Sequence, residues 1–109
     1  MVKRRDIILA RVYFTDSSES KVRPAIVLSN EDYHSDDFML VASITTANDE
    51  YCIPISENDC NCQLDKNSSA RIDGLIKINI KQVIKIIGKV SPEFHLKLVD
   101  KVISMVKVQ

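Results

Sequence analysis

Residues 22–30, with the sequence VRPAIVLSN, contain a clear β-strand pattern that is bounded at both ends. Pro24 has no N–H to donate to a β-ladder, so it is expected at the start of a strand that continues through residues 25–29. The turn-forming residues 30–32 (NED) then end that strand. The pattern predicts a short aliphatic strand with Arg23 immediately before it, where a polar segment meets the strand.

Five further stretches combine β-branched or aromatic residues with polar flanks, and each of them predicts a strand. They are residues 7–14, 38–45, 51–55, 70–78 and 83–90. Residues 38–45 (FMLVASIT) begin apolar and end polar, which favours a central strand with a site at its end. Pro54 puts its strand at a sheet edge, and Gly88 predicts a bulge or a close-packing point. The remaining long stretches, residues 15–21 and 57–69, predict loops.

Three signals predict that a helix starts near residue 91. Ser91 is a hydroxyl N-cap, Pro92 suits the first helical position and Glu93 puts an acid in the first turn. An apolar stripe at helical spacing predicts that the helix packs on the sheet, and it consists of Leu98, Val99, Val102, Ile103 and Val106. Short strands with one C-terminal helix predict a mainly β fold, a small and strongly bent antiparallel barrel. The length supports a single domain over residues 1–109.

The composition excludes several classes of protein. The chain is 45% hydrophobic and 28% charged, which is too apolar for a disordered protein. Its uncharged runs are far shorter than the roughly 20 apolar residues that cross a bilayer. Arg11 ends the apolar stretch of residues 7–10, so the basic N-terminus does not make a signal peptide and a cytoplasmic location is expected. Two glycines are too few for a phosphate-binding glycine loop.

The formal net charge of zero conceals three blocks of unlike charge. Residues 1–29 carry six basic and three acidic side chains, residues 30–65 carry nine acidic side chains and no Lys or Arg, and residues 66–109 carry nine basic and three acidic side chains. Such blocks suit a protein that offers a basic groove to a polyanion and keeps an acidic surface elsewhere. The alternative is that the acidic residues collect in loops.

The three cysteines do not predict a metal site. Cys60 and Cys62 are separated by one residue, whereas structural zinc sites use two to four, and no second ligand pair accompanies Cys52. An odd number of cysteines in a cytoplasmic chain favours free thiols. His34 lies in an acidic segment and His95 in the first helical turn, and both are interpreted as surface histidines.

Several residues have the chemistry to hold a phosphate. The Arg23 guanidinium can bind a phosphate through two N–H groups, although a surface pair with Glu19 explains it equally well. Thr45 and Thr46 can hydrogen-bond a phosphate or simply cap a turn.

Arg71 and Asp73 are two residues apart on a predicted strand, so their side chains leave the same face. Such a couple is either a surface ion pair of little energetic worth or an acid–base couple at a scissile phosphate.

The order of these residues resembles the PemK/MazF family of toxin endoribonucleases. The matching segments are Arg5-Asp6-Ile7-Ile8, the polar loop with Ser18 and Glu19, residues 22–30, Ala42-Ser43-Ile44-Thr45, Arg71-Ile72-Asp73 and residues 88–93 (GKVSPE). The resemblance covers about residues 3 to 106. Its most specific part is an arginine-proline pair before an aliphatic strand that ends in Ser-Asn, followed about twenty residues later by a threonine.

The resemblance implies an SH3-like barrel that dimerises and cleaves single-stranded RNA, including mRNA, without a metal ion or cofactor. In this family the ribose 2′-hydroxyl attacks the adjacent phosphate and leaves a 2′,3′-cyclic phosphate and a 5′-hydroxyl. The expected protein partner is a cognate antitoxin with an acidic disordered tail.

The family's functional residues are carried over by position. Arg23 corresponds to the phosphate-stabilising arginine, Thr45 to its hydroxyl partner, and Arg71 and Asp73 to the acid and base. Candidate residues of the RNA-binding groove and its covering loop are Ser18, Glu19, Lys21, Thr46 and Lys77.

The chain also departs from the family pattern. Arg5 stands where a glycine usually precedes the first-strand aspartate, and Gly74 stands where a glutamine usually follows the acid. Ile76 and Lys77 replace the usual arginine and threonine. These changes bear on the dimer contact, the RNA groove or both.

Two alternatives to a ribonuclease follow from these departures and from the small barrel itself. One is a non-catalytic binder of the kind found in the related CcdB fold, which poisons DNA gyrase by protein contact. The other is a degenerate toxin that only binds its antitoxin. The set of Arg23, Thr45, Arg71 and Asp73 favours the ribonuclease, because gyrase poisoning does not need it.

Overall fold

Six strands and one helix dominate the described residues, which are 2–13, 20–33 and 37–107 of this computed structural model. The elements are β1 (Asp6–Tyr13), β2 (Ser20–Val27), β3 (Phe38–Thr45), β4 (Cys52–Pro54), β5 (Ser69–Asn79), β6 (Val83–Lys89) and α1 (Pro92–Val106). Single 3₁₀ turns occupy Glu57–Asp59 and Ile80–Gln82. The predicted mainly β fold with a C-terminal helix is confirmed.

The strands form one antiparallel sheet in the order β4-β5-β3-β2-β1-β6. β3 lies between β2 and β5, as expected for the predicted central strand. β4 contains Pro54 and forms one edge, where the missing N–H is tolerated. Within the described residues β4 and β6 do not pair, so the sheet is bent like a barrel but is not closed by a strand ladder.

Each face of the sheet carries a buried apolar cluster, and strand alternation assigns each residue to one face. The helix face, which packs against α1, includes Ile7, Ile26, Ala42, Ile44, Ala70 and Ile72 together with Phe94 and Leu98 of the helix. The far face buries a second cluster that includes Ile8, Ala10, Ala25, Val27, Met39, Val41 and Ile78. Neighbours in sequence, such as Ile7 and Ile8, therefore lie in different cores.

Residues 59–62 attach the segment after β4 to the end of β6. Cys60 forms an isolated antiparallel bridge with Val90, and the Asn61 N–H donates to the Lys89 carbonyl at 3.1 Å. The Lys89 N–H returns a 2.7 Å bond to Asn61 Oδ1. The predicted loop at residues 57–69 is therefore not a loose connection, because part of it bridges the two edges of the sheet.

Gly88 is a close-packing point, which is one of the two roles that the sequence predicts for it. A Cβ at this position would lie 2.5 Å from Cys62 Cβ and 2.6 Å from Cys62 Sγ. Contacts this short are not sterically possible. The glycine lets residues 59–62 lie directly on β6.

β2 starts earlier than predicted. It begins at Ser20 rather than at residue 25, and Pro24 lies inside it. The proline is tolerated because β2 pairs with β1 from Ser20 to Ile26 but with β3 only from Ala25 onward. Around Pro24 the strand needs ladder donors on one side only.

The start of α1 is confirmed, but its predicted contact stripe is wrong in part. The Ser91 hydroxyl accepts a 3.1 Å hydrogen bond from the Phe94 N–H, and Pro92 is the first helical residue. The residues that pack on the sheet are Phe94, Leu98 and Val102. Ile103 and Val106 are exposed, and at 3.6 residues per turn Ile103 lies on the opposite side of the helix from Phe94.

His95 is not the surface histidine that the sequence predicts. Its Nε2 is buried and has no hydrogen-bond partner. Burial lowers the pKa of His95, and the positive charges of Arg4 and Arg5 act in the same direction, while the Leu28 backbone opposes them. His34, the other predicted surface histidine, lies outside the described residues.

Residues 2–13, 20–33 and 37–107 contain no helix that is long and apolar enough to cross a membrane.

Candidate functional site

A wide bulge in β5 carries two of the predicted catalytic residues. β3 advances two residues from Ala42 to Ile44 while its partner β5 runs from Leu75 to Ala70, so residues 71–74 bulge out of the ladder with β3. The Ser43 hydroxyl lies opposite this bulge and donates a 3.1 Å hydrogen bond to the Gly74 carbonyl. Bulges re-aim side chains and occur often beside active sites.

The bulge brings Arg71 and Asp73 together, as the Arg-x-Asp spacing predicts. Arg71 Nε lies 3.4 Å from Asp73 Oδ1. A second carboxylate, that of Asp49, accepts from both Nη atoms of the same guanidinium, with a shortest distance of 2.8 Å. The Cys52 Sγ lies 3.4 Å from Nη1. Arg71 is thus surrounded by two carboxylates and a thiol.

These neighbours hold Arg71 in its charged form. The hydrogen bond with Cys52 raises the pKa of Arg71 above its usual value, and the charges of Asp49 and Asp73 act in the same direction against partial desolvation. A guanidinium held this firmly is a poor proton donor. The geometry therefore suits Arg71 to charge stabilisation rather than to acid catalysis.

Gly74, which replaces the family's usual glutamine, has a local role. A Cβ there would lie 3.2 Å from both Cγ and Cδ of Arg71. The aliphatic stem of the arginine thus runs over the glycine. The departure at position 74 is accommodated by the path of Arg71 and leaves the Arg71–Asp73 pair intact.

Arg23 and Thr45 lie on the same face of the sheet as the bulge pair. Ala25 of β2 is paired with Ser43 of β3, and Ala25 belongs to the far-face core. Two residues further along these strands stand Arg23 and Thr45, which alternation places on that same face. In β5, Ala70 and Ile72 are in the helix-face core, so Arg71 and Asp73 between and beyond them are on the far face.

The polar ends of three neighbouring strands thus make one candidate site, which we call the far-face site: Arg23, Ser43, Thr45, Arg71 and Asp73. Arg23 is exposed, and Thr45 is partly buried beside Ser69 of β5. The Thr45 hydroxyl also accepts a 3.1 Å hydrogen bond from the Ala47 N–H. Threonine in this position therefore fixes the turn after β3 as well as facing the site.

Apart from Lys77, the remaining predicted groove residues divide into three groups. Lys21 is exposed on β2 and shares its face with Arg23. Thr46 follows the end of β3 and lines a separate cavity of about 420 Å³ with Lys66 and Ser69. Ser18 and Glu19, and with them the predicted covering loop, lie outside the described residues.

Lys77 is not brought to the far-face site. It lies between Ile76 and Ile78, which pack on the far face, so its side chain leaves β5 on the other side. Its Nζ is 4.4 Å from the centre of the Phe38 ring, a cation–π distance. A contact between Lys77 and RNA stays a prediction.

The sequence does not predict Ser43, Asp49 or Cys52 as catalytic or groove residues, although Ser43 belongs to the polar end of residues 38–45 where a site is expected. Ser43 shares a face with Thr45 in the predicted strand, and this alternation is a signal that could have found it. Asp49 follows Asn48 in a turn-forming stretch, where an aspartate has an obvious local role, so nothing in the sequence connects it with Arg71.

The acidic block of residues 30–65 is not kept wholly apart from the basic residues. Its described acids all lie outside the strands and α1, as in the loop alternative, and Asp49 contacts Arg71 itself. Cys52, Cys60 and Cys62 are free thiols. Burial raises the pKa of Cys62, and the neighbouring Cys60 adds to the effect. No cluster of three potential metal-ligating side chains occurs within the described ranges.

Comparisons with known proteins agree with this architecture. The profile of a family described as PemK-like, MazF-like toxin of type II toxin–antitoxin system matches residues 3–106. A comparison with curated proteins gave no match.

Several solved structures have the same fold at low sequence identity. One is the MazE–MazF crystal structure (form III) from Deinococcus radiodurans, with 12% identity, 99% of this chain and 98% of that chain covered, and a TM-score of 0.79. Another is the Mycobacterium tuberculosis toxin MazF-mt6, with 20% identity, 96% and 99% coverage, and a TM-score of 0.75. A third is an endoribonuclease in complex with its cognate antitoxin from a mycobacterial species, with 11% identity, 100% and 98% coverage, and a TM-score of 0.78. With a matching family profile over almost the whole chain, and the fold and strand-end residues described above, this chain belongs to the PemK-like, MazF-like toxin family of type II toxin–antitoxin systems.

Proposed function

We propose that this toxin is a metal-independent endoribonuclease that cleaves single-stranded RNA, and mRNA in particular, by attack of a ribose 2′-hydroxyl on the adjacent phosphate. The products are a 2′,3′-cyclic phosphate and a 5′-hydroxyl. The observation that carries the proposal is the Arg71–Asp73 pair, 3.4 Å apart on a bulge that shares a sheet face with Arg23 and Thr45.

Each side chain has a role that follows from its chemistry. Asp73 takes the proton of the 2′-hydroxyl, because it is the carboxylate that contacts Arg71 through one atom only and is 40% exposed. Arg23 and Arg71 stabilise the negative charge that develops on the phosphate oxygens. The Thr45 hydroxyl hydrogen-bonds the phosphate or its ribose, and Lys21 extends the positive surface beyond Arg23.

The partners follow from the family and from the exposed apolar surface. We propose a homodimer and an antitoxin whose acidic segment folds on binding and competes with RNA. An apolar stripe on α1 is partly exposed, which suits a protein interface, and it consists of Leu96, Val99, Ile103 and Val106. We further propose one toxin domain over residues 1–109, acting in the cytoplasm where mRNA is found.

The test is a cleavage assay in EDTA with purified protein and a single-stranded RNA pool of mixed sequence. Wild type is expected to give 2′,3′-cyclic phosphate and 5′-hydroxyl ends, and Asp73→Asn is expected to lose at least about a hundredfold in rate. Asp100→Asn removes an acid from the exposed side of α1 and controls for the charge change. A folded wild type that leaves the RNA intact would refute the ribonuclease and favour a binding-only toxin. Equal rates for wild type and Asp73→Asn would refute the assigned base.

A further inference from the structure

The bidentate edge of the Arg71 guanidinium is already occupied in the free protein. Asp49 Oδ2 accepts from Nη1 at 3.0 Å and from Nη2 at 2.8 Å, and Oδ1 accepts from Nη1 at 3.1 Å. This pair of Nη atoms is an edge through which arginine binds phosphates with two parallel hydrogen bonds. A carboxylate therefore sits where a phosphate would bind.

The surrounding backbone holds Asp49 in place for this contact. Its Oδ1 accepts from the Tyr51 N–H at 2.9 Å, and its carbonyl accepts from the Cys52 N–H at 3.1 Å. Cys52 is in turn the β4 partner of Arg71 in the ladder. The turn before β4 thus holds the Asp49 carboxylate next to the guanidinium, so little conformational entropy is lost when the two groups pair.

The charges around Arg71 oppose binding of a further anion. Arg71 contributes one positive charge, and Asp49 and Asp73 contribute two negative ones, so the cluster is net negative. A phosphate that approaches it is repelled unless one carboxylate moves away. Asp73 meets only Nε, at 3.4 Å, whereas Asp49 covers both Nη atoms, so Asp49 is the group that an incoming phosphate must displace.

The pair is accessible enough to open. The side chains of Arg71 and Asp49 are 29% and 44% exposed. Ion pairs at such exposure contribute little to stability, since solvent and salt screen them. A pair of this kind can therefore exchange partners without unfolding the site.

We propose that Asp49 is an internal competitor for the substrate phosphate: it neutralises Arg71 in the free toxin, and RNA binds by displacing it. Asp49 is on this account a positioning residue that holds back the affinity of the site and releases Arg71 to the phosphate. The proposal rests on the ribonuclease function proposed above, and it predicts that loss of the Asp49 charge strengthens anion binding.

Two probes test this without requiring cleavage. The first is inorganic phosphate, titrated at low ionic strength while the ¹⁵N–¹H signal of Arg71 Nε is followed by NMR. The second is a fluorescent 2′-O-methyl RNA pool, which cannot undergo the 2′-hydroxyl reaction, measured by fluorescence anisotropy. The variant is Asp49→Asn, which keeps the shape of the side chain. Glu50→Gln removes the same charge from the neighbouring exposed residue and is the matched control.

Asp49→Asn is expected to bind both probes about two- to fivefold more tightly than wild type, because an exposed competing pair is lost. Glu50→Gln is expected to change binding far less. On cleavable RNA, Asp49→Asn is expected to lower KM. Equal effects of the two substitutions, or weaker binding by Asp49→Asn with an unchanged circular dichroism spectrum, would overturn the proposal. If no variant cleaves RNA, the ribonuclease function fails, while the phosphate titration still decides the role of Asp49.

Discussion

At the scale of single residues, Arg23 is the strand-end arginine expected to contribute most to cleavage. It stands beside Pro24, at the point where β2 loses its pairing with β3, so its side chain leaves the sheet at an open end. Arg23→Ala is expected to reduce cleavage by about a hundredfold or more, the usual loss for one charge-stabilising donor. Arg23→Lys is expected to recover only part of the rate, because lysine keeps the charge but not the planar fork.

Arg11→Ala provides a control for the loss of an arginine. Arg11 belongs to β1 and hydrogen-bonds Ser20 at 3.2 Å, and alternation puts it on the other face of the sheet from Arg23. Initial rates on one RNA, with circular dichroism to check folding, make the comparison. Comparable losses for Arg11→Ala and Arg23→Ala would mean that Arg23 acts only through general positive charge.

Thr45 and Thr46 offer a second comparison between neighbouring residues. Thr45 faces the far-face site, while Thr46 lies beyond the end of β3 and lines a different cavity. Thr45→Val is expected to lower the cleavage rate about tenfold, since one hydrogen bond to the phosphate is lost, and Thr45→Ser is expected to restore most of it. Thr46→Val is expected to have a small effect. A larger loss for Thr46→Val than for Thr45→Val would show that the site lies on the opposite side of the strand end.

At the scale of secondary-structure elements, the attachment of residues 59–62 to β6 depends on Gly88. A Cβ on Gly88 would overlap Cys62, whose Cβ would be 2.5 Å away. Gly88→Ala is therefore expected to reduce the free energy of unfolding by about 1–3 kcal/mol, as measured by urea denaturation. Gly74→Ala is the control with a smaller expected loss, because its new Cβ meets the flexible Arg71 stem at 3.2 Å.

A double substitution locates the clash at Gly88. In the Cys62→Gly background no Cβ opposes position 88, so Gly88→Ala should cost less there than in wild type. An undiminished cost would mean that the glycine is needed for another reason than its contact with Cys62.

The first turn of α1 contains a titrating group that links stability to pH. His95 has a pKa lowered below its ordinary 6.5, chiefly by burial, so the folded state favours the neutral ring. As the pH falls, His95 therefore binds a proton more readily in the unfolded chain than in the folded chain. Stability is expected to be full above pH 6.5 and to fall as the pH drops from about 6.5 to the folded-state pKa.

Thermal or urea unfolding between pH 7.5 and 5 measures this effect. His95→Gln is expected to flatten the pH dependence of the free energy of unfolding in that range. His34→Gln removes the other histidine of the chain and serves as the comparison. A slope that survives in His95→Gln, or disappears equally in both variants, would contradict the assignment to His95.

At the scale of the whole molecule, the exposed stripe of α1 is expected to lie in the homodimer interface. Leu96 is 61% exposed and Val106 is 70% exposed, although both are apolar. Ile103 lies between them on the helix, and Ile103→Asp is expected to raise the dimer dissociation constant at least tenfold, because a two-fold interface counts the substitution twice. Sedimentation at micromolar concentration should then show a species of 12.3 kDa, the mass of one chain, instead of the dimer.

Ser104→Asp adds the same charge one residue away, on another side of the helix, and is the control. A wild type that sediments as a monomer would contradict the dimer. Two variants that both remain dimeric would place the interface elsewhere on the surface.

Local sequence patterns determined the strand order along the chain, the edge position of β4 and the start of α1. These features depend on local backbone effects, which can be predicted without knowing the fold. The residues responsible are Pro54, the Ser91-Pro92-Glu93 segment and the aliphatic runs. The spacing of Arg71 and Asp73 likewise predicted that they lie together, because residues two apart on a strand share a face.

Tertiary structure alone decided the contacts between residues far apart in the chain. Pro24 lies inside a strand because β3 begins its pairing only beyond it. Ile103 is exposed because the sheet covers the opposite side of the helix, which carries Phe94 and Leu98. Asp49 reaches Arg71 across 22 positions of sequence through the pairing of β4 with β5. The sequence around an acid in a turn does not show whether its side chain faces solvent or an arginine. The register of two distant strands determines that contact, and the neighbours of the acid in the sequence do not.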